Sequence, residues 1–382
     1  MWSTIRHRPD KCGPLNASTK QSERTRFAPF DVLRGLVIVL MALDHVRGFV
    51  APSGANPTDW ESTTFAFFLV RWVTHLCAPM FVFLMGVGAS LRAQSKPDES
   101  RSFLIKRGLW LIALEVTWVS FCWSWDVTQT NLGVLWSLGG SMVLLAPLVR
   151  LRSSHMVAAG VLLIVGLEMA NVQPSPGPLR VLFQPTSMTV FGHHIGAAYV
   201  LLPWFGVAML GWGVGPWLMQ LSPRRMCLVG VGLLTLFVTY RWGAETDPNP
   251  WVSQSAWDMT LADFLSPSKY PPSLCFVLMT LGVGGLILAG PARGQGRISS
   301  VLQTFGRVPM FFYLLHLPLA HLLGNGYAWI RYGAPRVPGT ESLSILTILV
   351  AWCVVLIVLW PVCVRWDALK RKRRDLRWLQ YL

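Results

Sequence analysis

The strongest constraint on this chain is a series of long apolar segments, each close to the length of a membrane-spanning helix. A helix needs about 20 mostly apolar residues to cross the hydrocarbon layer of a bilayer. Ten segments reach or approach this length: 32–51, 65–91, 103–122, 132–149, 155–171, 196–219, 226–240, 273–290, 304–323 and 343–364. The series predicts an all-α fold, a polytopic membrane bundle of about ten helices, with the lipid bilayer as a partner.

The charge content supports this prediction. Charged residues make up 13% of the 382 residues, whereas a soluble domain carries about 25%. The net charge of +15 would indicate a nucleic-acid partner in a soluble protein. Here the basic residues lie in short runs between the apolar segments and in both tails, without a patch of interleaved aromatic residues. We therefore expect no nucleic-acid partner.

The distribution of basic residues also predicts the orientation. With a cytoplasmic amino terminus and ten crossings, 26 of the 33 Lys and Arg residues lie on the cytoplasmic side and 7 lie outside. Cytoplasmic loops of membrane proteins carry such an excess, so both termini are predicted to be cytoplasmic. The predicted organisation is a disordered cytoplasmic tail (1–29), a transmembrane domain (30–365) and a basic cytoplasmic tail (366–382).

The first segment, FDVLRGLVIVLMALDHVRGF (30–49), carries the most informative ionisable residues. Arg34 and His45 are eleven residues apart, which places them about 20° apart on one helix face and about 16 Å apart along the axis. Arg34 is predicted at the cytoplasmic boundary, and His45, with Asp44 beside it, beyond the midplane. Placing an ionisable side chain inside the membrane costs free energy, so such a residue usually marks a functional site.

The Arg34–His45 spacing fits an acyl carrier. Coenzyme A has a phosphate-rich head and a slim arm of comparable length, and a guanidinium suits phosphates because it makes bidentate contacts. A neutral imidazole is the usual base for activating a hydroxyl or an amine. We therefore predict Arg34 at the phosphates and His45 as the base, with Asp44 or another carboxylate orienting or stabilising its ring. The alternative is an ordinary positive-inside anchor at Arg34 and a polar cluster at the outer helix end.

The sequence also resembles known membrane acyltransferases. An Arg, ten residues and a His in the first membrane helix resembles the signature of the O-antigen acetylase type. The whole chain resembles bacterial members of the heparan-alpha-glucosaminide N-acetyltransferase catalytic-domain family. The blocks that carry this resemblance are 30–49, THLCAPMFVFLMGVGASL (74–91), KRGLWLIALE (106–115), SKYPPSLCFVLMTLG (268–282) and GRVPMFFYLLHLPLAHLL (306–323). The resemblance implies transfer of an acetyl group from cytoplasmic acetyl-coenzyme A to a sugar across the membrane.

Further residues are predicted to bind the two substrates. Basic residues near the cytoplasmic boundary are expected to assist Arg34 at the donor phosphates: Lys106, Arg107 and Arg307. Polar residues near the outer ends of segments are candidates for the acceptor site: Arg47, Arg71, His75, Asp126, Lys269 and Tyr270.

The reasons for the acceptor candidates differ. Arg71 and His75 are four residues apart and so share a helix face. Asp126 follows tryptophans in the WSWD run, as in sugar-stacking sites, and Lys269 is the only lysine predicted outside. Polar helix ends and a solvated loop acid are the plainer alternatives, and His316 is interpreted as a helix-packing histidine. No metal site is predicted.

These observations predict an acetyl-coenzyme A-dependent acyltransferase of the bacterial inner membrane that acts on an extracytoplasmic glycan or amine. The choice between O- and N-acylation, between direct transfer and a covalent acetyl-histidine, and between monomer and oligomer stays open. A secondary transporter or flippase is the alternative function, because polar groups and proline-broken helices suit both classes. The lack of an inverted repeat counts against transport.

Overall fold

The computed structural model describes residues 17–170, 177–243, 246–373, 375–376 and 378–379. Most of them are helical. The helices are α1 (Ala17–Val50), α2 (Phe65–Thr74), α3 (Cys77–Ser95), α4 (Pro97–Leu114), α5 (Ser120–Ser124), α6 (Val134–Leu145), α7 (Ser153–Ala170), α8 (Leu201–Leu218), α9 (Pro223–Gly243), α10 (Trp257–Phe264), α11 (Leu274–Ala289), α12 (Arg297–Arg307), α13 (Pro309–Tyr332) and α14 (Ile345–Lys372). A π-helical turn, Glu115–Val119, joins α4 to α5.

Each of the ten predicted segments coincides with helical structure. Within the described residues, six helical stretches are apolar and long enough to cross a membrane: Phe65–Ser95, Ser153–Ala170, Leu201–Leu218, Pro223–Gly243, Leu274–Arg293 and Ile345–Lys372. The chain is therefore an integral membrane protein. That α1, α4, α6 and α13 also cross, which would give ten, and that both termini are cytoplasmic remain predictions.

The first and last helices extend beyond their predicted limits. Helix α1 begins at Ala17, so residues 17–29 of the predicted disordered tail are helical, whereas residues 1–16 lie outside the described residues. Helix α14 continues to Lys372 and includes the first part of the predicted basic tail. Apolar length predicts only the part of a helix that lies in hydrocarbon, since polar helical turns outside the bilayer carry no such signal.

The all-α prediction misses a small three-stranded sheet. Strand β3 (His193–Ala197) lies in the centre, parallel to β1 (Gln129–Leu132) and antiparallel to β2 (Thr186–Val190). The turn between β2 and β3 has positive φ at both Phe191 (49°) and Gly192 (79°), as the tight turns of β-hairpins require. The sheet therefore lies mostly in two connections between predicted segments.

Helix α1 packs closely against α12. A Cβ atom at Gly35 would lie 1.7 Å from the carbonyl oxygen of Leu302, and one at Gly306 would lie 1.8 Å from that of Asp31. Glycine at both positions allows the two backbones to touch, as small residues do in membrane helix pairs. This crossing places Arg307, the last residue of α12, beside the middle turns of α1 that carry Asp31 and Arg34.

The connection between α9 and α11 is anchored by a buried arginine. Arg241 is fully buried, forms a 3.3 Å ion pair with Asp247 and donates a 2.7 Å hydrogen bond to the Asn249 carbonyl. It also donates to two backbone carbonyls at the end of α10. Because a buried guanidinium needs such partners, Arg241 ties the end of α9 to Asp247, Asn249 and the end of α10. Lys269 and Tyr270 lie at the end of this connection.

Candidate functional site

A cavity of about 620 Å³ opens at the end of the bundle that is predicted to be cytoplasmic. This volume is in the range of small-molecule sites. Six cationic side chains line it: Arg34, Arg92, Arg107, Arg307, Lys370 and Arg371. Two carboxylates, Asp31 and Asp367, also line it, so positive charge is in excess and the mouth suits an anionic ligand.

Ion pairs orient part of this basic mouth. Asp367 pairs with Arg307 at 2.8 Å and with Arg371 at 3.2 Å. Asp31 pairs with Arg34 at 3.1 Å, one helical turn along α1. Each carboxylate holds guanidinium groups that also face the cavity, which keeps bidentate donors in position for a phosphate.

Three of the four residues predicted to bind the donor line the cavity. Arg34, Arg107 and Arg307 line it, but Lys106 is exposed on α4 and is not among the lining residues. Successive residues on a helix point about 100° apart, so Lys106 points away when Arg107 faces inward. Three further residues that line the cavity were not predicted, because basic residues at helix ends resemble topology signals: Arg92, Lys370 and Arg371.

The deep part of the cavity is mostly apolar and reaches Tyr313 on α13. Aliphatic and aromatic side chains from five helices line this part, among them Ile38, Phe81, Leu111 and Met142. The Tyr313 ring lies edge-on to the His45 ring, with 6.3 Å between the ring centroids. His45 itself does not line the cavity, so Tyr313 lies between the cavity and His45.

His45 is paired with His316, which the sequence reasoning had assigned to helix packing. Nδ1 of His45 lies 2.7 Å from Nε2 of His316, and the two rings are stacked. Nδ1 of His316 lies 3.2 Å from the backbone carbonyl of Phe312. The ring of Trp123 packs edge-on against His45 at 4.9 Å. Helices α1 and α13, far apart in sequence, therefore supply one histidine pair.

The hydrogen bonds of this pair fix the tautomers when both rings are neutral. A carbonyl oxygen only accepts, so the Phe312 carbonyl requires a proton on Nδ1 of His316. Nε2 of His316 is then an acceptor, and Nδ1 of His45 must donate to it. This leaves the lone pair on Nε2 of His45. Among the described residues no group hydrogen-bonds to this nitrogen, and His45 is only partly buried. His45 is therefore arranged as a proton acceptor.

Asp44 interacts with His45 electrostatically but not through a hydrogen bond, so its role in orienting or stabilising the ring remains a prediction. Its carboxylate pairs with Arg47 at 3.0 Å and with Arg71 at 2.5 Å, and no hydrogen bond joins it to His45 in the described part of the chain. Adjacent residues on a helix point in different directions, which separates the two side chains. His316, rather than Asp44, is the group within hydrogen-bond distance of the His45 ring.

Most of the predicted acceptor residues lie together on the far side of His45. Besides the two arginines at Asp44, the buried ammonium of Lys269 lies over the rings of Tyr270 (5.0 Å) and Tyr199 (5.7 Å). His75 is buried and packs edge-on against Phe276. Tyr199 was not predicted, because one tyrosine near the end of an apolar segment resembles an interfacial anchor.

Asp126 is not part of this group of residues. Its carboxylate accepts hydrogen bonds from the Thr128 backbone and hydroxyl, at 2.8 and 2.7 Å, and from the Gln129 amide. The Thr128 backbone bond is the main cause that lowers the pKa of Asp126 below its usual value. The neighbouring Trp125 packs on His321. The carboxylate therefore closes a local turn before β1.

Comparison with known proteins identifies the family. No curated protein matches the chain. The family model described as "Heparan-alpha-glucosaminide N-acetyltransferase, catalytic" matches residues 26–240, more than half of the chain. The match includes Arg34, the Asp44–Arg47 stretch and the Arg71–His75 pair, and it ends before the helices that carry Arg307 and His316. The chain belongs to the family of heparan-alpha-glucosaminide N-acetyltransferase catalytic domains, an acetyltransferase family of integral membrane proteins.

Proposed function

We propose that this protein transfers an acetyl group from acetyl-coenzyme A, bound at the predicted cytoplasmic end, to a hydroxyl or an amine of an acceptor at the opposite end. The observation that carries the proposal is the cavity itself. Its basic mouth surrounds Arg34, and its apolar depth ends at Tyr313, which contacts the His45–His316 pair. An extracytoplasmic glycan in a bacterial inner membrane is the acceptor that we propose.

The donor fits the cavity from the mouth inward. The phosphates of coenzyme A would lie among the guanidinium groups of Arg34, Arg92 and Arg307, where bidentate hydrogen bonds favour planar oxygen pairs. The slim arm would extend along the apolar walls towards Tyr313. The thioester then approaches Nε2 of His45 once the Tyr313 ring turns aside.

The reaction requires a general base and the replacement of the thioester carbon–sulfur bond by a bond to the acceptor. Nε2 of His45 accepts the proton of the acceptor hydroxyl or amine while that oxygen or nitrogen attacks the acetyl carbonyl carbon. The carbon–sulfur bond breaks, and the coenzyme A thiolate takes the proton from the imidazolium of His45. The products are the acetylated acceptor and coenzyme A. His316 stabilises the imidazolium, because its Nε2 accepts a hydrogen bond from the Nδ1–H of His45.

Replacing Arg34 with Ala is expected to weaken acetyl-coenzyme A binding about tenfold, since one charge-assisted phosphate contact is lost. Arg34→Lys should recover only part of the affinity, because an ammonium cannot bind bidentately. Isothermal titration calorimetry on the purified protein measures both changes.

Arg101→Ala is the matched control for this titration. Arg101 lies exposed on α4 and does not line the cavity, so its loss should change the dissociation constant by less than about twofold. Equal affinity of the wild type and Arg34→Ala would remove Arg34 from the donor site. Absence of acetyl-coenzyme A binding in the wild type, together with solute uptake by vesicles, would instead favour the transporter alternative.

A further inference from the structure

The far side of His45 holds more positive than negative charge. Arg47 and Arg71 share the single carboxylate of Asp44 through separate oxygen atoms. Lys269 interacts electrostatically with the same carboxylate. We call these four residues with His75 the far-side cluster. One carboxylate compensates one of three cationic side chains, so two positive charges are in excess.

These charges are largely removed from water. The side chains of Arg47 and Arg71 are 14% and 15% exposed, and Lys269 is 8% exposed as a residue. The ammonium of Lys269 faces tyrosine rings, and no carboxylate lies within ion-pair distance of it in the described residues. Burying an uncompensated charge is costly. The cluster is therefore electrostatically incomplete without an anion.

A second observation points to the same missing group. His75 is 4% exposed, and its Nδ1 has no hydrogen-bond partner among the described residues. The ring interacts electrostatically with Arg71 and Lys269, which places it at the excess charge. A buried polar atom is normally paired, so an unpaired ring nitrogen beside two cations indicates a ligand position. The remaining exposure of Asp44, 17%, shows that the cluster is not sealed.

We propose that the far-side cluster binds an anionic group of the acceptor, a carboxylate or a phosphate. The proposal rests on the function proposed above, because it assumes that His45 receives its acceptor from this side. Lys269, Arg47 and Arg71 all interact electrostatically with His45, so an anion held by these three side chains would place the rest of the acceptor near the His45 ring. Asp44 holds the two arginines apart and in a fixed orientation. This role explains why a carboxylate lies within a site proposed to bind an anion.

The test is equilibrium binding of three sugars to the purified wild-type protein without acetyl-coenzyme A. Glucose, glucuronic acid and glucose 6-phosphate differ only in the group at the sixth carbon. We expect at least one of the two anionic sugars to bind about tenfold or more tightly than glucose, because each charged hydrogen bond contributes more than a neutral one. The tighter of the two anions identifies the group.

Three variants make this test specific. Lys269→Met should abolish the preference for the anion, and Lys269→Arg should retain most of it. Lys96→Met, which removes an exposed lysine near the donor end, should leave the preference unchanged. Acetyl-coenzyme A binding by Lys269→Met shows that this variant is folded. Equal binding of all three sugars by the wild type, or an unchanged preference in Lys269→Met, would overturn the proposal.

Failure of the proposed anion site and failure of the proposed acyltransferase function give different results. Anion binding requires neither the donor nor His45, so a preference for anionic sugars in a protein that transfers no acetyl group would reject the proposed function and keep the anion site. Acetyl transfer to neutral and anionic acceptors at equal rates would reject the anion site and keep the proposed function.

Discussion

His45→Ala is expected to lower the rate of acetyl transfer at least about 10³-fold while acetyl-coenzyme A binds normally. The base is lost, and general-base catalysis together with the hydrogen-bond relay to His316 accounts for an effect of this size. Donor binding should persist because the phosphate contacts lie near Arg34, about three helical turns away. Transfer is measured with radiolabelled acetyl-coenzyme A, and donor affinity by calorimetry.

The control for this experiment is His155→Ala. His155 is exposed on α7, so its loss tests whether removal of any histidine affects the rate, and we expect a change below about twofold. If His45→Ala transferred acetyl groups to the natural acceptor at the wild-type rate, His45 would not be the base.

His316→Leu should lower the turnover number about 10²- to 10³-fold. Leucine cannot accept a hydrogen bond from the Nδ1–H of His45. The His45 ring therefore loses the partner that fixes its tautomer and stabilises its charged form. His316 acts through His45 and is a positioning residue, so the Michaelis constant for the donor should change little. Steady-state kinetics with acetyl-coenzyme A as the varied substrate separates the two constants.

His316→Gln distinguishes positioning from packing. A glutamine amide oxygen reaches about as far as Nε2 of histidine and accepts the same hydrogen bond. This variant should therefore retain activity within about tenfold of the wild type, whereas a packing role alone would make the apolar replacement, His316→Leu, the more active of the two. Equal losses in His316→Gln and His316→Leu would contradict the hydrogen-bond role.

Features set by local sequence were predictable. Apolar length located the helical segments, and the eleven-residue spacing placed Arg34 at the mouth and His45 deeper along the same helix. The residues predicted at outer helix ends lie near Asp44 in the structure: Arg47, Arg71, His75, Lys269 and Tyr270. Their roles in substrate binding remain proposals.

Features set by tertiary contacts were not predictable. The partner of His45 comes from α13, 271 positions later, and nothing in the spacing around His316 distinguishes it from a packing histidine. The direction of Asp44 depends on Arg71, which belongs to another helix. The short strands around His193 lie in loops where hydrophobic periodicity is too brief to be seen. Arg371 lines the cavity only because α14 continues beyond the predicted span.

The central claim is that a single path joins the basic mouth to His45. A structure determined by cryo-electron microscopy with bound acetyl-coenzyme A tests it most directly. We predict phosphate density against Arg34 and Arg307, a displaced Tyr313 ring, and the thioester carbon within about 4 Å of Nε2 of His45, a near-attack distance once the acceptor is included. Donor density elsewhere, or an arm that ends at an unmoved Tyr313 with His45 still closed off, would contradict the account.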